Sequence, residues 1–285
     1  MLLKELIKEG TETISVAYPE REAREMVFIY LEHLLGTSRH THILEPAYEV
    51  AEADADMART AFARMAAFEP VQYIIGKANF YGRDFNVSSS VLIPRPETEL
   101  LCREVTMDGR SKRRPMRVLD LCTGSGCIAW TLAMELQGAE VTAVDLSEDA
   151  LKVASTQSFE DGPSVNPQFI KADVLAGPIE SLGSFDVIVS NPPYVKESEK
   201  ALMRKNVLDY EPDMALFVDD DDPLVFYRAA ALWAKALLKE DGFGIVEINE
   251  ALGEETAEAF AEVGFTKTEV IKDFSERARF VKFSR

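Results

Sequence analysis

The chain has 285 residues, of which 49 are acidic and 31 are basic, so its formal net charge at pH 7 is −18. That excess argues against unaided binding to duplex nucleic acid or to an anionic membrane, because both require Lys and Arg side chains to neutralise phosphates. At roughly 150 residues per domain the length suggests about two domains, and a hydrophobic content of 47% is enough for a buried core.

The N-terminal residues and the cysteine content favour a cytoplasmic protein. Charges interrupt the apolar run of residues 1–10, which is therefore unlike the continuous apolar region of a signal peptide. No run of about 18 apolar residues, the length needed to span a bilayer, occurs in the sequence. The cysteines are few and odd in number, as is typical where thiols stay reduced, and they are Cys102, Cys122 and Cys127.

Residues 1–70 are predicted to form a small α-helical domain that recognises the substrate. Apolar residues recur at helical spacing, as at Val27, Leu31 and Leu34, and Gly36 is a candidate helix end. Prolines divide the rest of the region into several short helices.

Residues 71–95 are predicted to form a β-hairpin linker. Aromatic and β-branched residues surround glycines in Tyr73–Gly76 and Phe80–Val87, which favours a pair of strands joined by a turn. The segment Pro94–Leu101 then places prolines and acids where the first turn of a helix favours them. A second domain, with the catalytic groups, is expected over residues 96–285.

Strands and helices alternate through this second domain, with helices predicted to end near Leu136 and to span about Leu224–Leu238. The alternation predicts an α/β fold with a mostly parallel seven-stranded sheet and helices on both faces, whose ligands bind at the carboxyl ends of the strands. The predicted strands are Arg117–Leu121, Glu140–Asp145, Gln168–Ile170, Phe185–Ser190, Phe243–Ile248, Lys267–Ile271 and Ala278–Phe283.

A glycine-rich turn, Asp120–Ala129, follows the first of these strands and opens a helix. Its small residues allow a ligand to approach backbone amides. Asp145 ends the second strand, where its carboxylate can accept hydrogen bonds from both hydroxyls of a ribose. Together they predict a nucleoside cofactor, but Gly124 and Gly126 also fit the dinucleotide fingerprint of NAD enzymes, which stays open.

Asp173 and Val174 follow the third strand. An acid at this position can accept a hydrogen bond from the exocyclic amine of an adenine, which would complete a nucleoside site. An Asp after a strand is almost equally typical of a plain turn residue. Both interpretations of Asp173 stand at this point.

The fourth strand is followed by the sequence Asn191-Pro192-Pro193-Tyr194. The prolines stiffen the loop, so Asn191 and the Pro192 carbonyl can present fixed acceptors to one planar NH₂ group, with Tyr194 offering a face for it. An amide or aryl amine nitrogen is a poor nucleophile because its lone pair is delocalised. Acceptors that hold both N–H bonds favour a pyramidal nitrogen whose lone pair points at an electrophilic methyl group, which a sulfonium cofactor supplies.

The Asn-Pro-Pro-Tyr motif after strand four resembles that of S-adenosylmethionine-dependent methyltransferases that modify amino groups, which implies a Rossmann-like fold. The chain more closely resembles the HemK or PrmC family, the glutamine-N5 methyltransferases of peptide chain release factors. The resemblance spans roughly residue 70 to the C-terminus, and residues 1–70 fit it in size and class. Further motifs that match are Ile93–Glu99, Asp120–Ala129, Tyr210–Pro212, Ala215-Leu216 and Phe226–Arg228.

The resemblance implies transfer of a methyl group from S-adenosylmethionine to the glutamine of the Gly-Gly-Gln loop of a release factor. It implies a monomer without a nucleic acid, membrane or metal partner. The residues implied for cofactor binding are Cys122, Thr123, Gly124, Ser125 and Gly126 at the methionine part, Asp145 at the ribose, Asp173 and Val174 at the adenine, and Asn191. Those implied for the substrate are the catalytic Asn191, Pro192 and Tyr194 together with Pro193, and Arg95 and Glu97 in the segment that borders the entrance.

Four positions depart from the family pattern. Many relatives have glycine where Cys122 stands, a change that is tolerated if the dihedral angles of that residue are ordinary. Asn249 also replaces a glycine, and Gln157 lies where the second helix often carries Asn. The segment Phe217–Leu224 lacks the glycines that are common before Phe226-Tyr227. These last three departures are expected to lie outside the methyl-transfer pocket.

Other functions compete with this interpretation. Adenine-N6 methylation of DNA or RNA uses the same motif on a flipped base, but the net charge of −18 disfavours it. A nicotinamide-dependent dehydrogenase leaves the Asn191 loop without a purpose, and a non-catalytic binding module is a further alternative. The run Asp219–Asp222 is interpreted most simply as a solvated loop.

Overall fold

The structure, a computed structural model, describes residues 1–111, 114–273 and 275–285, with the side chains of residues 109–111 left out. The chain divides into two compact units. Residues 1–77 and 203–210 form the first, and residues 78–202 and 211–285 form the second. The predicted ranges 1–70, 71–95 and 96–285 differ from this division at the hairpin and at the segment 203–210.

The helices and strands have the following bounds. The helices are α1 Leu3–Ile14, α2 Glu20–Leu35, α3 Thr41–Leu44, α4 Glu52–Ala66, α5 Val71–Ile75, α6 Thr98–Ser111, α7 Cys127–Glu135, α8 Glu148–Ser155, α9 Lys205–Leu208, α10 Val225–Leu237 and α11 Gly253–Glu262. The strands are β1 Lys77–Phe80, β2 Arg83–Asn86, β3 Arg117–Leu121, β4 Glu140–Asp145, β5 Gln168–Lys171, β6 Phe185–Ser190, β7 Val195–Lys196, β8 Phe217–Val218, β9 Leu238–Glu247, β10 Lys267–Lys272 and β11 Ala278–Ser284.

The first unit is helical, as the apolar spacing predicts. Helix α2 ends at Gly36, whose left-handed backbone (φ +64°) lets its N–H bond back to the carbonyl of Glu32. The apolar faces of α1, α2 and α4 meet in one core, in which Leu6, Val27 and Phe62 are buried. Burial of these faces, more than intrinsic propensity, stabilises helices of this length.

The predicted strand Tyr73–Gly76 is wrong, because this segment belongs to the short helix α5. Pro70 sets the helical entry, and Gly76 ends the helix with a positive φ of 72°. The hairpin is formed by β1 and β2, which follow this helix. Its turn is at Tyr81 and Gly82, which both have positive φ, as this type of two-residue turn requires. Local capping therefore outweighed the β propensity of the two isoleucines.

The second unit contains the predicted α/β sheet. In the described part of the chain, seven strands lie in the order β10-β11-β9-β6-β3-β4-β5. Strands β9, β6, β3, β4 and β5 are parallel, whereas β11 and β10 are antiparallel to their neighbours. β3 lies between β4 and β6. The chain adds β4 and β5 on one side of β3 and then β6 and β9 on the other side. Open α/β sheets bind ligands at such a switch point.

Apolar layers cover both faces of this sheet. One contains Trp130 and Leu132 of α7, and the other contains Tyr227 and Trp233 of α10. All six residues of β6 are buried, as expected for a central parallel strand. The loops that follow β3, β4, β5 and β6 therefore project from a closely packed platform.

Candidate active site

A cavity of about 340 Å³ opens at the carboxyl ends of the parallel strands. Most of the residues predicted to bind a cofactor or substrate line it, although they come from separate parts of the sequence. Those predicted residues are Arg95, Cys122, Thr123, Gly124, Ser125, Asp145, Asp173, Val174, Asn191 and Pro193.

Four of the predicted site residues do not line the cavity. Gly126 serves packing instead: a Cβ there would lie 3.0 Å from Cβ of Ala154, and its φ is +78°. Glu97 is exposed and borders a separate surface hollow. Pro192 is buried within its loop, and Tyr194 is half-buried.

Cys122 has a left-handed backbone, with φ +61°. Cysteine was expected to be tolerated at this position only if the dihedral angles of the residue were ordinary. The positive φ shows that they are not. The turn imposes this geometry because the chain leaves β3 at Leu121 and the N–H of Thr123 bonds to the carbonyl of Val144, at 3.0 Å. A side chain with a Cβ at positive φ stores strain, so Cys122 marks a strained point in the wall of the cavity.

Asp145 joins the loop after β4 to the glycine turn. Its Oδ2 accepts the N–H of Gly124 at 2.8 Å, and its Oδ1 accepts the N–H of Ser147 at 2.9 Å. Each oxygen keeps a second lone pair, so the carboxylate can still accept two hydroxyl groups. Burial raises the pKa of this carboxyl above its ordinary value, against the effect of the backbone N–H groups.

Asp120 lies directly beneath the turn and is fully buried. Its Oδ2 accepts the hydroxyl of Thr123 at 2.6 Å, whereas its Oδ1 has no hydrogen-bond partner within the described residues. Burial raises the pKa of Asp120 to about 7, and the negative charge of Asp145 adds to the shift, whereas hydrogen bonds from the hydroxyl of Thr123 and the backbone of Ala129 oppose it. The floor of the site therefore holds an acid that is poorly compensated.

Asp173 shows both of its predicted features. Its Oδ1 accepts the N–H of Leu175 at 2.9 Å and so caps a short 3₁₀ turn, and the residue also lines the cavity. Leu146 and Leu175 also line the cavity, and 47% of each residue is exposed, which provides apolar surface for a flat base. Neither leucine was predicted from the sequence as a site residue, although Leu146 directly follows Asp145.

A chain of hydrogen bonds holds the Asn191 loop. Nδ2 of Asn191 donates to Oγ1 of Thr98 at 3.2 Å, and Thr98 in turn donates to Oε2 of Glu247 at 2.7 Å. The hydroxyl of Tyr194 donates to Oε1 of Glu247 at 3.0 Å. Thr98 and Glu247 were not predicted as site residues; Thr98 lies inside the matched segment Ile93–Glu99, which is the one available signal.

The segment that carries Arg95 is anchored by Glu211, whose side chain is buried. Oε1 of Glu211 accepts from Nη2 of Arg95 at 2.6 Å, and Oε2 accepts the N–H of Ile93 at 3.1 Å. Met214 and Phe226 also line the cavity. The matched motif Tyr210–Pro212 thus contributes a buried carboxylate that fixes an edge of the cavity.

Two of the departures from the family pattern, Asn249 and Gln157, lie outside the cavity but contact the loops that form it. Nδ2 of Asn249 donates to the carbonyl of Tyr194 at 3.2 Å. Nε2 of Gln157 donates to the carbonyls of Ser125 and Asn86, at 3.1 and 2.9 Å. Each side chain therefore supports a loop that the site uses.

The acidic run Asp219–Asp222 lies in a largely exposed loop and makes hydrogen bonds with nearby residues. Asp220 accepts the N–H and the hydroxyl of Ser198, and Asp222 pairs with Arg228. Within residues 1–111, 114–273 and 275–285, no group of three or more His, Cys, Asp or Glu side chains is arranged to hold a metal ion. No described helix combines the length and the apolarity needed to cross a membrane.

Comparison with known proteins places this chain in a family. Residues 5–76 match the model of the PrmC N-terminal domain, and residues 96–209 match that of the methyltransferase small domain. The release factor glutamine methyltransferase of Flavobacterium psychrophilum is 36% identical over 285 residues, which cover 99% of both chains. The chain belongs to the release factor glutamine methyltransferase family. The member from Bacteroides thetaiotaomicron is 43% identical over 222 residues, which are 78% of each chain.

The fold agrees with that of solved methyltransferases. The catalytic domain of hMettl16, solved in complex with the MAT2A 3′UTR hairpin 6, superposes with a TM-score of 0.56, covers 82% of each chain and is 15% identical. At that identity the likeness concerns the fold alone. The predicted Rossmann-like methyltransferase fold is confirmed, and the chain is an S-adenosylmethionine-dependent methyltransferase.

The residues of the cavity fit this cofactor. A Cβ built on Gly124, whose φ is +55°, meets no atom within 4 Å, so the turn has an open side that a ligand can approach. The carboxylate of Asp145 retains acceptor capacity for a ribose, and Leu146 and Leu175 leave apolar surface beside it. The lining of the cavity combines the backbone of the glycine turn, a carboxylate and apolar walls, as a nucleoside with a charged amino acid part requires.

Proposed function

We propose that this chain transfers a methyl group from S-adenosylmethionine to the side-chain amide nitrogen of the glutamine in the Gly-Gly-Gln loop of a peptide chain release factor. The observation that carries the proposal is the Asn191 loop at the cavity wall, held by Thr98 and Glu247. The names of the relatives from Flavobacterium psychrophilum and Bacteroides thetaiotaomicron support a release factor as the substrate.

The cofactor would be held by the turn after β3 and by the loops after β4 and β5. The backbone of residues 122–125 surrounds its methionine part, the carboxylate of Asp145 accepts its ribose hydroxyls, and Asp173 with Val174 contacts its adenine. The cofactor supplies an electrophilic methyl group on a positively charged sulfur. Because the cavity wall carries acids and the whole chain is acidic, a positive charge is favoured there.

The amide of the substrate would be held by the Asn191 loop. Oδ1 of Asn191, which lines the cavity, accepts one of its N–H bonds. The carbonyl oxygen of Pro192 accepts the other, although Pro192 itself is buried in the loop and does not line the cavity. Pro193 and Tyr194 stiffen and support the loop. This grip favours a pyramidal nitrogen with its lone pair directed at the methyl carbon. The nitrogen–carbon bond forms as the sulfur–carbon bond breaks, and one N–H proton is then lost to water.

The remaining parts of the proposal concern the partner. The helical domain, predicted as residues 1–70, would recognise the release factor, since residues 5–76 match the PrmC N-terminal domain. Arg95 and Glu97 would lie at the entrance for the substrate. We also propose that the enzyme acts as a monomer in the cytoplasm.

A methyl-transfer assay with labelled S-adenosylmethionine tests the function. We expect label on a release factor, with a mass gain of one methyl group on the glutamine of the Gly-Gly-Gln loop. A release factor with glutamate in place of that glutamine is the matched control and should take up no label. Label on DNA or RNA alone would favour the adenine-N6 alternative and reject the proposal.

A further inference from the structure

The side-chain amide of Asn191 has two orientations, which differ in whether its oxygen or its NH₂ group faces the cavity. The proposed reaction requires the oxygen, because an NH₂ group would meet the N–H bonds of the substrate. In the structure, Nδ2 donates to Oγ1 of Thr98 at 3.2 Å. That contact turns the NH₂ group toward the protein and leaves the oxygen for the cavity, which Asn191 lines.

Thr98 selects this orientation because a hydroxyl group has only one proton. That proton is donated to Oε2 of Glu247 at 2.7 Å. The oxygen of Thr98 can then meet Asn191 only as an acceptor, so the neighbouring group has to be the NH₂. Thr98 and Glu247 are each only 2% exposed, and water is therefore a poor competitor for these contacts.

Glu247 performs this role only in its ionised form. An ionised carboxylate accepts hydrogen bonds at both oxygens, and here it accepts from Thr98 and from Tyr194. A protonated carboxyl has a proton to donate to Thr98, whose hydroxyl could then turn and donate to the oxygen of Asn191. The amide would flip, and its NH₂ group would face the substrate.

The groups that face Glu247 act in opposite directions. Burial has the largest effect and raises the pKa of the carboxyl, whereas the hydrogen bonds from Thr98 and Tyr194 lower it. Arg279 of β11 favours the ionised form, and Glu97 before α6 opposes it. The other titratable groups that interact with this charge all have raised pKa values, and they are Cys102 of α6, Cys127 of α7 and Tyr227 of α10.

We propose that Thr98 and ionised Glu247 are positioning residues that select the orientation of the Asn191 amide required for methyl transfer. The inference rests on the proposed function, because it concerns the same acceptor. Glu247 does not line the cavity, so it acts through Thr98 and Tyr194 and not by contact with the substrate.

Three variants separate positioning from packing. Thr98→Val keeps the shape and removes the hydroxyl; we expect kcat to fall roughly tenfold to fiftyfold, less than the direct loss of an acceptor, with KM for the cofactor within about twofold. Thr98→Ser should stay within about threefold of the wild type. The control is Thr131→Val in α7: this threonine is fully buried, and its hydroxyl has no hydrogen-bond partner in the described chain. It should keep wild-type kcat.

The pH profile adds a measurement that packing alone would not change. In the wild type, kcat should fall as the pH is lowered through the raised pKa of Glu247, because the protonated form releases Asn191. Thr98→Val should lack this acid limb, since it breaks the link to the amide. Wild-type kcat in Thr98→Val, or an equal loss in Thr98→Ser, would overturn the inference.

A nuclear magnetic resonance measurement distinguishes the two proposals. The side-chain NH₂ signals of Asn191, assigned with Asn191→Asp and recorded with S-adenosylhomocysteine bound, should shift with pH in the wild type and not in Thr98→Val. If these signals titrate while the wild type fails to methylate any release factor, the positioning stands and the proposed function fails. If the release factor is methylated but the signals do not titrate, the positioning is wrong.

Discussion

Two buried aspartates in the same sheet differ in how the protein compensates their charge. Asp186, at the start of β6, accepts from Nη2 of Arg114 at 2.6 Å, from Nζ of Lys239 at 3.0 Å and from the N–H of Arg117 at 2.8 Å. Burial opposes ionisation, but these bonds lower the pKa of Asp186 to about 2. Asp120, at the opposite end of the neighbouring strand β3, has an oxygen without a partner in the described chain and a pKa near 7.

The difference follows the division of labour between the two edges of the sheet. The amino ends of the strands carry satisfied charges, which stabilise the fold. The carboxyl ends carry the strained Cys122, the partly compensated Asp120 and the buried Glu247, which cost stability. Groups of that kind concentrate where a ligand or substrate will supply the missing contacts.

The largest effect is expected at the carboxyl edge, from Asn191→Ala. The variant should lose about 2–4 kcal/mol of transition-state stabilisation, or roughly 30-fold to 1000-fold in kcat, because it removes a fixed acceptor. Its affinity for S-adenosylhomocysteine and its melting temperature should stay near those of the wild type. Calorimetry and a single-turnover assay measure the two quantities separately, and an unchanged rate would remove the assigned role.

A substitution at the amino ends of the strands should reduce stability and leave catalysis unchanged. Asp186→Ala should lower the free energy of unfolding by about 3 kcal/mol, the low end for a broken buried ion pair, because Arg114 and Lys239 are partly exposed. Urea denaturation measures the loss, and methyl transfer at low temperature should persist. Since the folded pKa of Asp186 is below its unfolded value, its contribution is present above about pH 4 and is lost as the pH falls toward 2.

Asp120→Asn should raise the free energy of unfolding at pH 8, whereas Asp186→Ala should lower the free energy of unfolding. The folded pKa of Asp120 is about 7 and the unfolded value is about 3.9, so its contribution to stability is present below about pH 4 and is lost as the pH rises through 7. At pH 8 the variant should be more stable than the wild type by on the order of 2 kcal/mol. Paired melting curves at pH 8 and pH 4 test this, and a variant that is less stable at both values would show that the acid is compensated.

The smallest effect is expected from Cys122→Gly. Glycine adopts φ +61° without strain, so the variant should gain about 0.5–1 kcal/mol in free energy of unfolding. Cys127→Gly is the matched control, because this cysteine lies in α7, where glycine should cost about 1 kcal/mol. Equal changes in the two variants would argue against strain at Cys122.

The sequence predicted the sheet well because its strands are apolar, regular and separated by clear turns. Strands β3, β4 and β6 have the predicted bounds, and the ligand edge follows from their parallel order. The hairpin was misplaced because Tyr73–Gly76 has β propensity but is capped as a helix. An alternating apolar pattern can indicate a strand, but it carries no information about the residues that cap a helix.

The site was predictable where a residue follows a strand and hidden where it acts through others. Asp145 ends β4 and Asn191 directly follows β6, so their place at the cavity followed from the topology. Thr98 begins a helix and Glu247 ends a strand far from it in sequence, and only the folded chain brings them together. The strain at Cys122 depends on a dihedral angle, which the identity of a residue does not reveal.

Gln157 couples the glycine turn to the hairpin. Its amide bonds both backbone groups of Asn86 in β2 and the carbonyl of Ser125 in the turn. When a ligand immobilises the turn, the end of β2 is restrained with it, although it touches no part of the ligand. Slower amide hydrogen exchange at Asn86 would thus report occupancy of the cavity, so the hairpin offers a place for a label that senses binding without entering the site.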